Sequence, residues 1–112
     1  NYLDPELELK VVLAKVPSMD TKSGREEASN MISVANLSRQ GFANGDISTL
    51  MSPRTVISWA ENNEIFKDLT RSFDITFLNK CDDTEKTIIA EYYQRCFNAE
   101  LESSIAEDLE ED

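Results

Sequence analysis

The chain contains no histidine. A Ser-His-Asp triad and a Cys-His nucleophile are thereby excluded. Cysteine is almost as scarce. Cys81 and Cys96 form no CxxC pair, and two thiols without histidine fall short of the four ligands of a structural zinc site. No metal site is expected, and both cysteines are read as reduced, partly buried thiols of a cytoplasmic protein. The three glycines, Gly24, Gly41 and Gly45, stand apart. Neither GxxxxGK[ST] nor GxGxxG occurs, so no glycine-rich loop within the chain cradles a phosphate. No run of 18 apolar residues is present, which excludes a membrane-spanning helix. The first residues lack the basic-then-apolar order of a signal peptide. Basic residues are few, 11 against 22 acids, for a formal charge of −11. Non-specific nucleic-acid binding requires Lys and Arg to neutralise phosphates and is not expected, nor is attraction to an anionic membrane surface.

What is present reads as helices. The 112 residues fit one domain with a modest core. The acid is uneven: seven of the 22 acids lie in residues 98–112, which hold no base. Residues 1–97 then carry fifteen acids and eleven bases, a balance of −4. Residues 98–112 are read as an acidic C-terminal tail, with Leu101, Ile105 and Leu109 at four-residue spacing allowing a frayed helix and the charge run allowing disorder. The chain opens on Asn1 and not Met, so it is expected to be either processed or cut from a longer protein.

Asp4-Pro5 predicts a helix start, with Asp4 as the cap and Pro5 at the first helical position. Leu9, Val12, Leu13 and Val16 follow at helical spacing, and Pro17 ends the segment. Ser18 to Gly24 reads as a loop. A second helix is predicted over 25–40, with a stripe of Ala28, Met31, Ile32, Ala35 and Ser38. Arg39 would complement the negative pole of its dipole and Gly41 would stop it. Phe42 to Met51 is a connector with a tight turn at Asn44-Gly45-Asp46, pinned to the core by Ile47 and Leu50, with Thr49 to Met51 briefly extended. The third helix has the clearest start: Ser52 caps, Pro53 takes the first position and Arg54 follows. Val56, Ile57, Trp59 and Ala60 form its buried face, and Asn62 and Asn63 weaken its end. A fourth helix is predicted over 66–78 through Leu69, Phe73 and Phe77, although Ile75 to Leu78 alone also fits a strand. The fifth begins near Asp82–Asp83 and runs through Ile88, Ile89, Tyr92, Tyr93, Cys96 and Phe97. The fold class is all-α, a four- to five-helix bundle.

One position carries a sharper expectation. Arg54 sits in the first turn of a capped helix, where free N–H groups and positive potential favour an anion. A guanidinium there adds a fork that matches phosphate oxygens, and is otherwise placed against the helix dipole. A solvated arginine is the plainer reading of the residue by itself. No catalytic residue is expected in the chain. Trp59, Phe73, Phe77, Tyr92 and Tyr93 invite comparison with a porphyrinoid-stacking site, but their helical spacing favours core packing.

The segment Met51-Ser52-Pro53-Arg54-Thr55-Val56-Ile57-Ser58-Trp59-Ala60-Glu61-Asn62 resembles the lid of the small AAA+ ATPase subunits of the aerobic cobaltochelatase, the CobS family. Asn44-Gly45-Asp46-Ile47-Ser48-Thr49 before it, Phe77-Leu78-Asn79-Lys80-Cys81-Asp82 after it, and Glu91-Tyr92-Tyr93-Gln94-Arg95-Cys96-Phe97 resemble the same family in the same order. Asn1-Tyr2-Leu3 and Val12-Leu13-Ala14-Lys15-Val16 fit the passage from its nucleotide-binding core into the lid. The resemblance covers about residues 1–97, and related MoxR-type ATPases carry triplets like Ser52-Pro53-Arg54. It implies an AAA+ helical lid over residues 1–97. It implies that Arg54 is the sensor-2 arginine facing ATP phosphates, with Ser52 and Pro53 supporting the helix N-terminus. It further implies ATP and Mg in a full-length parent, an N-terminal AAA+ core, a ring of like subunits, a larger AAA+-type partner, and a catalytic subunit that inserts cobalt into a corrin precursor. No Walker motif lies in these 112 residues, so the chain alone is not expected to hydrolyse ATP. Two other readings stand beside this one: the lid of a MoxR-like chaperone ATPase with another client, and a non-enzymatic helical interaction module.

Overall fold

The computed structural model describes residues 4–97. The expected acidic tail lies outside the described residues. Within them the chain forms α1 (Pro5–Lys15), α2 (Lys22–Asn44), α3 (Pro53–Phe66), α4 (Leu69–Thr76) and α5 (Asp83–Phe97). Two 3-10 turns, Pro17–Met19 and Leu78–Lys80, lie between them, and no strand occurs among the described residues. The all-α expectation holds. None of the helices is long and apolar enough to cross a membrane.

The long helix α2 is the axis of the bundle. It packs against α1, α3, α5 and the first 3-10 turn, while α4 packs on α3. Its buried side therefore includes the expected Ala28, Met31, Ile32, Ala35 and Ser38, and Val34 as well. It also starts earlier and ends later than expected. Thr21 caps it by accepting the Gly24 N–H at 3.0 Å, so the expected loop over 18–24 shrinks to the end of a 3-10 turn and two residues before the helix. Gly41 does not stop it. The stop is Gly45, in the left-handed region at φ 82°, where the Asp46 N–H reaches the Gly41 carbonyl and the Gly45 N–H reaches that of Phe42. That crossed pair satisfies carbonyls the helix end would leave unpaired.

Pro5 opens α1 as expected, and details at three helices differ. Asp4 precedes α1, but its side chain makes no capping bond; its main-chain carbonyl accepts the Glu8 N–H instead. Helix α3 runs past Asn62 and Asn63 to Phe66, because both amides find partners. Asn62 donates to Thr76 Oγ1 at 2.8 Å and Asn63 to Glu27 Oε1 at 2.7 Å. Helix α4 is shorter than expected. It starts after Asp68, whose carboxylate accepts the Arg71 N–H, and the strand-like run after Ile75 turns into the second 3-10 segment.

The core centres on Trp59, which is fully buried. Its ring lies 4.8 Å from that of Phe73, 6.0 Å from Phe97 and 6.3 Å from Tyr93, with tilted and edge-on geometries that aromatic quadrupoles favour. Trp59, Phe73, Phe77 and Tyr93 are thus committed to packing, and Tyr92 is half-buried against the same core. Cys81 is buried and Cys96 half-buried, both are free, and burial pushes both thiols up from their ordinary range.

Candidate functional site

The start of α3 is built as the sequence predicts. Ser52 holds an extended conformation, and its Oγ accepts the Thr55 N–H at 3.2 Å and contacts Thr55 Oγ1 at 3.1 Å. Its carbonyl accepts the Val56 N–H at 3.2 Å. Pro53 occupies the first helical position, where its missing N–H costs nothing. Ser52, Pro53 and Arg54 are therefore together on one helix turn. Further along the helix, Val56 and Trp59 root that turn in the core.

Arg54 itself projects into solvent. The other four arginines are all engaged. Arg25 pairs with Asp20, Arg39 with Glu8 and Arg95 with Glu91, and the Arg71 guanidinium lies over the Phe66 ring. Among the described residues, neither the guanidinium nor the main-chain N–H of Arg54 has a hydrogen-bond or ion-pair partner. The cap takes the Thr55 and Val56 amides and leaves that of Arg54 open. A cation and an open amide thus stand at the positive end of a helix dipole, an arrangement suited to an anion with several oxygens. No group of residues able to hold a metal ion occurs among the described residues.

One part of this region was not legible as such. Arg39 does not serve the end of α2, since the helix continues to Asn44 and the side chain turns inward. Only 5% of the residue is exposed, and Glu8 opposite it is fully buried. The two form a fork-on-fork pair, with Nη1 to Oε1 at 2.9 Å and Nη2 to Oε2 at 2.8 Å. Arg39 Nη1 also donates to Asn36 Oδ1 at 2.9 Å, and Nε donates to the Met51 carbonyl at 2.8 Å. A signal for this was available. Glu8 and Val12 lie at four-residue spacing on one face of α1, with Val16 buried just past its end, so an acid on that buried stripe requires a cation facing it.

No family model matches the chain. No solved structure matches it. Among curated proteins, the aerobic cobaltochelatase subunit CobS of a Sinorhizobium species is 52% identical over 106 residues, which is 95% of this chain and 32% of that protein. The likeness carried by the motifs therefore extends along nearly the whole chain, which is a homologue of the cobaltochelatase subunit CobS and spans about a third of that subunit's length.

Proposed function

We propose that this chain is the C-terminal, nucleotide-responsive lid of an AAA+ ATPase subunit that powers cobalt insertion into the corrin ring during cobalamin synthesis. Arg54 is its sensor of ATP phosphates. The observation that carries this reading is the state of Arg54: exposed, unpaired among the described residues, and set in the first turn of a capped helix rooted in the core. The relative's name supports the cobaltochelatase part. On this reading the nucleotide and its Mg belong to a full-length cytoplasmic protein with an N-terminal AAA+ core. Its partners are a ring of like subunits, a larger AAA+-type subunit and the catalytic chelatase subunit.

The residues present fit a triphosphate in charge and in donor set. When bound, the nucleotide supplies a phosphoanhydride whose cleavage drives movement. The chain's part is to bind and to transmit. Arg54 offers two guanidinium donors and its own N–H to phosphate oxygens. Ser52 and Pro53 fix where those donors start, so little order is lost on binding. Trp59, five residues along the same helix, ties any displacement of Arg54 to the whole bundle, because a close-packed core moves as a unit.

The test is Arg54→Ala in the full-length protein. The helix should remain folded, while ATP turnover falls by about a hundredfold, the order seen when one preorganised donor to a developing charge is removed. Turnover equal to that of the unsubstituted protein would remove Arg54 from the site.

A further inference from the structure

A buried ion pair seldom explains itself by stability. Desolvating two charges costs about as much as their attraction returns, and apolar replacements of similar volume are often neutral or better. Glu8 and Arg39 are joined across 31 residues of sequence, with the acid fully buried and the arginine 5% exposed. What such a pair supplies is geometry, since a guanidinium with both edges engaged has one orientation. Here that orientation aims Nε–H at the carbonyl of Met51, the residue directly before the Ser52 cap.

The segment between α2 and α3 needs such a hold. Residues 45–52 have no regular structure and so no ladder of their own to fix them. The segment is tied at two places. Near its start, the Ser48 N–H donates to Glu85 Oε1 at 2.8 Å, on the first turn of α5. At its end, the Met51 carbonyl accepts from Arg39 on α2, while the Met51 side chain is fully buried. Arg39 is in turn held by Glu8 on α1. Two helices, α1 and α2, thus act together on one main-chain oxygen three residues before Arg54.

We propose that the buried Glu8–Arg39 pair is a positioning device, holding the Met51 carbonyl and thereby the start of α3 and the Arg54 side chain in one place on the bundle. It rests on the reading of Arg54 as the phosphate sensor. Glu8 and Arg39 touch no phosphate in this scheme. They act through Met51 and the cap, and they couple the first helix of the chain to the residue that reads the nucleotide.

The experiment uses the full-length protein with Glu8→Met and Arg39→Met together, which removes both charges, keeps the volume and leaves no buried ion unpaired. Hydrogen exchange is followed in the peptide covering residues 50–58, which holds the capping amides of Thr55 and Val56. Exchange there should quicken about tenfold, as expected for loss of a hydrogen bond from a charged donor. ATP turnover should fall about tenfold, because small misplacements of a positioning group are costly. Adding Arg54→Ala should cause no loss beyond that of Arg54→Ala alone, since both changes then act through one group. Arg39→Lys keeps the charge but not the fork, and should not restore exchange or turnover. It also replaces the paired variant if that one fails to fold. Unchanged exchange over residues 50–58 in a folded variant overturns the proposal. So does fast exchange with full turnover, if Arg54→Ala alone is inactive. If Arg54→Ala alone keeps full turnover, the phosphate-sensor reading fails by itself, and exchange over 50–58 still decides whether the pair holds the helix start.

Discussion

The α-carbon of Gly41 faces the Tyr92 hydroxyl so closely that an added methyl would lie 2.3 Å from the oxygen. This is the reason for a glycine inside α2, where it is neither a stop nor a turn. It lets α5 come up against α2 at the point where the half-buried Tyr92 ring leans over. In an open helix, Gly→Ala gains up to about 1 kcal/mol of stability from propensity. Here the clash should cancel or reverse that gain, with overpacking costs of about 1–3 kcal/mol. Tyr92→Phe removes the oxygen. Gly41→Ala should therefore be tolerated better in the Tyr92→Phe background than in the unsubstituted chain. A double-mutant cycle by urea denaturation reads the difference, and strict additivity would show that the close approach carries no energy.

Trp59→Ala should loosen the bundle more than any other single truncation. The side chain is fully buried and shares ring contacts with Phe73, Tyr93 and Phe97, so its loss leaves a large cavity between α3, α4 and α5. The expected cost is about 3–5 kcal/mol. Far-UV circular dichroism through a urea titration measures it, since the substitution also removes the one tryptophan reporter. A cost below about 1 kcal/mol would mean the cluster repacks freely.

The two predicted caps should behave differently. Ser52→Ala removes a bond to the Thr55 N–H and should cost about 1 kcal/mol. Asp4→Ala removes no side-chain cap bond and should change stability far less. Arg54→Ala should be neutral or stabilising by a few tenths of a kcal/mol, because it takes a cation from the positive end of the α3 dipole. Thermal unfolding of the three variants orders them. An Arg54→Ala melting midpoint far below the others would mean that its loss of turnover reflects unfolding.

Asp74 provides the pH prediction. Burial raises its carboxyl above the ordinary value of 3.8, Asp68 adds to that, and Lys86 opposes it. A raised carboxyl holds its proton more tightly folded than unfolded. Its ionisation therefore works against the fold, and stability is lost as pH rises from the ordinary value through the raised one. Asp74→Asn should thus be more stable than the unsubstituted chain at neutral pH. The advantage should vanish below about pH 3, where both states of the acid are protonated. Urea midpoints of the two proteins across that range check the sign, and an advantage that grows on acidification would contradict it.

Local rules carried the sequence reading a long way. Ser52-Pro53 marks the start of α3 because cap and proline chemistry are satisfied within one turn, without help from the rest of the chain. Trp59 and Phe73 are legible as core because apolar side chains at helical spacing have few other places to go. The later ends of α2 and α3 share one cause. Asn62 and Asn63 read as weakening the end of α3 and Gly41 as stopping α2, yet partners remote in sequence satisfy the two amides and need the missing side chain of the glycine.

The amino-acid sequence by itself determined the helical class, the capped start of α3, the placing of Arg54 in its first turn, and the likeness to a cobaltochelatase subunit. These depend on spacing and on neighbours within a few residues. Only the tertiary structure decided that Arg54 is exposed and unpaired among the described residues, that Glu8 and Arg39 meet inside the bundle, and that Arg39 grips the Met51 carbonyl. Burial and pairing depend on which helix faces come together, and for residues 31 positions apart no local pattern specifies that.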